Sequence, residues 1–150
     1  MAKFKFRMQN FLSLRERIEE QKKLDYGRAV AKREHEKQVK AALILRRESY
    51  ITTFREQIKG EVINPIEVQS YNDYIDWLKH KIIEQEKVVI LAEKFAESKR
   101  LELVEAMKER KMLEKLKEKD AEVFRIEEKL TEQKLVDEIV SYRYNKGVIN

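Results

Sequence analysis

Apolar residues recur along this chain in two long runs, each with a seven-residue rhythm. In the first, Phe4, Phe11 and Ile18 fall one heptad apart, with Met8 and Leu14 near the intervening positions. Ile44, Ile51, Phe54 and Ile58 keep similar spacing farther on, and between the two groups EEQKKLDYGRAVAKREHEKQ offers only a weak seam. No Pro interrupts Phe4 to Ile58. The isolated Gly27 costs about 1 kcal/mol relative to Ala, so the pattern predicts one helix over 1–59.

Lys59-Gly60 is a stop signal, since Gly is favoured just beyond a helix C-terminus. Asn64-Pro65-Ile66-Glu67 follows at once with a capping Asn, a Pro at the first helical position and a Glu three residues after the cap. Ser70 to Asp73 offers a second start, so a turn over 60–70, with room for a short helical piece, is predicted to lead into a second helix over 71–145. Asn145 and Gly147 mark its end and a tail over 146–150.

The second run has the clearer seam: Ile75, Leu78, Ile82, Val89, Ala92, Ala96, Leu103, Ala106 and Leu113, interrupted by Gln85, Lys99 and Arg110. Beyond Leu113 the rhythm is read as slipping by one, with Leu116, Val123 and Leu130 repeating every seven and Ile126 and Val140 at the second seam position. Two helices joined by a short turn must run antiparallel. The fold class is therefore all-α, a long two-helix antiparallel coiled-coil hairpin in a single domain.

At about 1.5 Å per residue the first helix is roughly 80 Å long and the second roughly 110 Å, so they cannot match. Counting outward from a turn near residue 62 puts Phe4 opposite roughly residue 120. Residues 121–145 would then overhang with an uncovered apolar stripe: Val123, Phe124, Ile126, Leu130, Leu135 and Ile139. Exposed stripes of this size usually mark contact sites. A homodimer through 121–145, in a generic self-associating coiled coil, is one way to cover it.

Composition narrows the chemistry. Charged residues make up 41% of the 150, yet 42% are apolar and only three are Gly and one Pro, the balance of exposed helices rather than of disorder. The net charge of +5 comes from 33 basic residues interleaved with 28 acidic ones, without the segregated basic face that nucleic acid requires. The chain holds no Cys, which removes disulfides and thiolate chemistry and fits a reducing compartment. No stretch reaches signal-peptide or membrane-span length, and a soluble chain is expected.

His35 and His80 stand alone, without ligand-spaced neighbours, and no phosphate loop or nucleophile turn occurs. A two-helix hairpin has no interior in which to desolvate a carboxylate. No catalysis, metal, cofactor or small-molecule substrate is expected. Basic-aromatic neighbours, KFKFR near the start and YRYNK near the end, are too short to define an RNA or lipid surface. Tyr50, Phe54, Tyr71, Tyr74 and Trp77 gather around the predicted turn, either as core packing or as a recognition surface of the kind aromatic residues favour.

ERKMLEKLKEKDAEVFRIEEKLTEQKLVDE, over 109–138, joined with FRMQNFLSLRERIEEQ near the N-terminus and QSYNDYIDWLKHKI after the turn, resembles the FliJ family of flagellar type III export proteins. The resemblance covers nearly the whole chain and includes charged and amide residues off the seam. It implies a rotor-stalk-like coiled coil that joins the hexameric flagellar export ATPase to the cytoplasmic domain of the membrane export gate, stimulates the ATPase, acts as an escort chaperone for export components and contacts export chaperones, with consequences for motility and chemotaxis. It further implies a cytoplasmic protein, peripheral to the inner face of the cell membrane at the flagellar base. Carried over to this chain, ATPase contact falls to Phe6, Met8, Phe11, Arg15, Phe124, Glu127, Leu130, Gln133 and Asp137. Gate contact falls to Leu43, Tyr50, Tyr74 and Leu78, while positions near Lys81 and Gln85 depart from the pattern.

Overall fold

In the computed structural model, which describes residues 2–60 and 62–149, the chain forms helix α1, Gln9–Gln57, and helix α2, Pro65–Ile149, with no strand among the described residues. The all-α antiparallel pairing is as expected. Helix α1 starts later than the periodicity suggested: residues 3–6 are not helical, and the Phe6 carbonyl accepts the Gln9 N–H at 3.2 Å. The first helical turn carries no acidic residue. Burial of Phe6, rather than continued helix, satisfies the leading segment.

The turn follows its punctuation closely. Ile58 N–H bonds the Phe54 carbonyl at 3.1 Å, and Gly60 takes φ +81°, the left-handed conformation that Gly adopts at least cost. Asn64 caps α2 through its Oδ1, which accepts the Ile66 N–H at 3.0 Å, while Pro65 occupies the first helical position. The first start signal thus acts alone. Helix α2 begins at Pro65 rather than 71, and Ser70 to Asp73 is helix interior. At the other end Asn145 and Gly147 do not stop the helix, which runs to Ile149 instead of releasing a tail at 146. An isolated Gly weakens a helix by about 1 kcal/mol and needs a further signal to end it.

Contacts gather into two compact units, each containing part of both helices: a terminal unit of residues 1–20 with 105–150, and a central unit of residues 21–104. In the central unit Leu78 is fully buried, and Val89, Ala92 and Ala96 pack along α2 with Ala29 of α1. The small Ala side chains let the backbones approach but bury little apolar area, so large anchors such as Leu78, worth about 1.5–3 kcal/mol each, carry much of the cohesion. The terminal unit buries Phe6, Leu12, Ala106 and, unusually, Glu19.

The α2 seam is as read through Leu113: every named position is buried or half-buried. The α1 seam is not. Phe11 and Leu14 are 58% and 49% exposed, and Leu12 and Glu19 point inward in place of Phe11 and Ile18; Leu43 likewise lies further inward than Ile44. The inward heptad runs Leu12, Arg15, Glu19, Lys22, Tyr26, Ala29, Arg33, Glu36, Lys40, Leu43 and Arg47, all buried or half-buried. Of its charged members, Arg15, Glu19, Lys22, Glu36 and Lys40 reach polar groups of α2 with their heads, whereas the Arg47 Nε is buried without a hydrogen-bond partner.

The expected slip after Leu113 does not occur. The same face continues through Lys117, Asp120, Ala121, Phe124 and Glu128, all half-buried, whereas Val123, Ile126 and Leu130 are about half exposed. At about 100° per residue, Ile126 and Leu130 lie on the side of α2 opposite Glu128. Apolar spacing marked the wrong face because the true seam holds Lys117, whose Nζ donates to Gln9 Oε1 at 2.9 Å.

Candidate functional surfaces

The three polar interruptions of the α2 seam each have a partner. Gln85 Nε2 donates to the Glu36 carbonyl at 3.0 Å and to its carboxylate at 2.5 Å. Lys99 and Lys22 both reach Glu102, at 3.4 and 3.3 Å, and hold its carboxyl below the usual carboxylate range, Lys22 being the larger cause. Arg110 bonds Glu114 at 2.7 Å and the buried Glu19. Both carboxylates raise the Arg110 pKa above its ordinary value, Glu114 first. The Glu19–Arg110 layer takes a nearly enclosed carboxylate and its guanidinium out of water, a cost that offsets much of their attraction.

In the terminal unit the residues aligned with ATPase contact divide by exposure. Phe6 is buried; Met8, Arg15 and Phe124 are half-buried; Phe11, Glu127, Leu130, Gln133 and Asp137 are exposed. Arg15 pairs with Glu109. Phe124 is no part of an uncovered stripe, for its ring meets Phe4 at 5.7 Å, close to the predicted register. Beyond Glu128 every residue from Lys129 to Gly147 is exposed.

That bare segment has two apolar faces, not one. Leu130, Gln133 and Asp137 lie with Ile126 on one side, whereas Leu135, Ile139 and Tyr142 lie roughly 180° away, in line with Phe124 and Glu128. Leu130, Leu135, Ile139 and Tyr142 are 52–66% exposed. The reading of a single stripe merged these faces because it counted apolar residues without following their rotation.

In the central unit the aromatic cluster closes ring on ring. Phe54 stacks on Tyr71 at 3.9 Å, Tyr71 on Tyr50 at 5.6 Å, Tyr50 meets the Tyr74 edge at 4.6 Å, and Tyr74 stacks on Trp77 at 5.8 Å. Phe54, Tyr71 and Tyr74 are half-buried, while Tyr50 and Trp77 remain 40% and 49% exposed. Of the residues aligned with gate contact, Tyr50 is accessible, Leu43 and Tyr74 are partly so, and Leu78 is wholly enclosed.

One surface escaped the sequence reading. Val88, Leu91 and Phe95 of α2 line an open groove with Ala29 and Lys32 of α1, and Lys99 Nζ lies 5.3 Å from the Phe95 ring centre. Their three- and four-residue spacing parallels the seam one position away and could have been read from sequence. His80 Nδ1 lies 2.7 Å from the Asp76 carbonyl, one turn back, and no metal-ligating cluster occurs among the described residues. No described helix is long and apolar enough to cross a membrane.

No curated protein and no solved structure matches the chain. The family model described as flagellar FliJ protein matches residues 4–148, so nearly every position discussed above lies within it. The chain belongs to the flagellar FliJ protein family, whose members act in flagellar protein export.

Proposed function

We propose that this chain is a non-enzymatic coiled-coil component of the flagellar export apparatus that binds and stimulates the hexameric export ATPase through its terminal unit. The observation that carries this reading is the bare stretch of α2 from Lys129 to Gly147, which exposes Leu130, Gln133 and Asp137 together on one side. An uncovered helix of this length with apolar residues is a docking element in search of a groove. Its interleaved charges suit a contact that is made and broken repeatedly, since exposed ion pairs are each worth under about 1 kcal/mol.

The aromatic cluster is the proposed contact for the cytoplasmic domain of the membrane export gate, with Tyr50 and Tyr74 its accessible members among the aligned residues. In this role the protein works in the cytoplasm, at the inner face of the membrane, and also receives export chaperones. The test is ATP turnover by the cognate ATPase with the full chain and with a truncation after residue 128, which keeps the Phe4–Phe124 contact. Stimulation by the full chain, lost on truncation, is expected; equal stimulation by both would refute the assignment. Tyr50→Ala with Tyr74→Ala should weaken gate binding and spare ATPase stimulation, whereas equal loss of both would move the gate contact elsewhere.

A further inference from the structure

The face of α2 that packs against residues 2–20 does not end where that covering segment ends. Leu113, Lys117, Ala121, Phe124 and Glu128 are half-buried along it, and at about 100° per residue Glu132, Leu135, Ile139, Tyr142 and Lys146 continue the same line. Leu135, Ile139 and Tyr142 are 54%, 52% and 66% exposed. The continuation has the four- and three-residue steps of a coiled-coil seam. Nothing among the described residues covers it.

We propose that a second copy of this chain supplies the covering helix, lying antiparallel over residues 128–146. With the twofold axis near residue 137, Leu135 meets Ile139 of the second copy, Glu132 meets its Tyr142, and Glu128 meets its Lys146. Apolar layers occupy the centre and opposite charges the ends. A parallel arrangement would instead stack Glu128 on Glu128 and Glu132 on Glu132. The ends are complementary more broadly: Ala2, Phe124, Glu127, Glu128, Thr131 and Glu132 line an open, largely apolar groove with three carboxylates among its lining residues, and Tyr142, Arg143 and Lys146 of the second copy would lie over it.

Two rim contacts oppose the pairing, Glu138 against Glu138 and Lys129 against Arg143, so the dimer is weak and exchangeable. The pairing face is roughly opposite Leu130, Gln133 and Asp137. It therefore goes beyond the proposed ATPase contact and stands without it.

Sedimentation equilibrium of the full chain alone tests the pairing. A monomer–dimer equilibrium is expected, with Leu135→Asp and Ile139→Asp each weakening it by at least about tenfold, since a charge replaces a central apolar layer. Glu128→Lys and Lys146→Glu should each weaken it, and the double variant should restore it; Glu138→Gln should tighten it. The charge-swap rescue does not depend on whether the aspartate variants keep the bare helix formed, which circular dichroism reports. A chain that stays monomeric throughout, a dimer indifferent to these changes, or single charge variants that the double variant does not rescue would overturn the proposal.

Discussion

Within the terminal unit, one face of α2 is covered from Leu113 to Glu128 and bare from Lys129 to Gly147, although the apolar share of the helix is nearly the same in both, six of 16 residues against seven of 19. In the covered stretch the inward Lys117 reaches Gln9, as Arg110 just before it reaches Glu19. In the bare stretch, apolar residues at the equivalent positions have no cover. The difference shows that burial here is decided by the reach of the N-terminal segment, not by local hydrophobicity. A seam can be polar and closed, or apolar and open.

The largest effect that separates the two stretches should come from paired truncations on either side. Leu12→Ala, at a position only 3% exposed, should cost about 2–4 kcal/mol in urea unfolding. Leu135→Ala at low protein concentration should stay within about 0.5 kcal/mol of the parent, as for an exposed position. Comparable losses would mean that the bare face is covered in the isolated chain.

Next comes the buried pair. Glu19→Ala leaves Arg110 with Glu114 alone, and Arg110→Ala leaves a buried carboxylate without its guanidinium. Each should lower the melting temperature, and the double variant should be less harmful than the sum of the singles. Strict additivity would show that the pair contributes nothing as a unit.

A smaller effect is expected at the boundary. Phe4→Ala removes the ring contact with Phe124 and should cost about 0.5–1.5 kcal/mol beyond lost area. Amides near Gln9 should then exchange faster, while those of 129–147 stay as they were. An unchanged exchange pattern would show that the ring pair does not secure the leading segment.

The smallest effect concerns pH and lies in the central unit. Because Lys22 and then Lys99 depress the Glu102 pKa in the folded chain, its contribution is present above the ordinary carboxylate pKa and fades as pH falls through the folded value. The parent should thus be slightly more stable than Glu102→Gln at neutral pH, with the gap closing in acid. A gap that widened in acid would reverse the sign of this linkage.

Much of this was legible in the sequence, but unevenly. The α2 seam through Leu113 could be read because Leu78, Val89, Ala92 and Ala96 are apolar, and the turn because Gly60 and Asn64-Pro65 have specific backbone roles. The α1 seam was legible near its two ends, at Phe4, Met8, Phe54 and Ile58, and largely hidden between, where Arg15, Glu19, Lys22, Arg33, Glu36 and Lys40 occupy inward positions that periodicity assigns to apolar residues. For the same reason Lys117 concealed the continuing register of α2 and made Val123 and Leu130 look like the seam. At the candidate surfaces, residue types singled out Tyr50, Tyr74 and Leu130, but only burial separated Leu78 from them.

The central claim is that the seam closes near residue 128 and leaves a helix for the export ATPase to engage. Hydrogen exchange of the dilute chain, alone and with the ATPase, tests it most directly. Amides of 113–128 should be protected in both states, and those of 129–147 only with the ATPase. Stimulated ATP turnover with 129–147 still exchanging freely would place the contact elsewhere and contradict the claim.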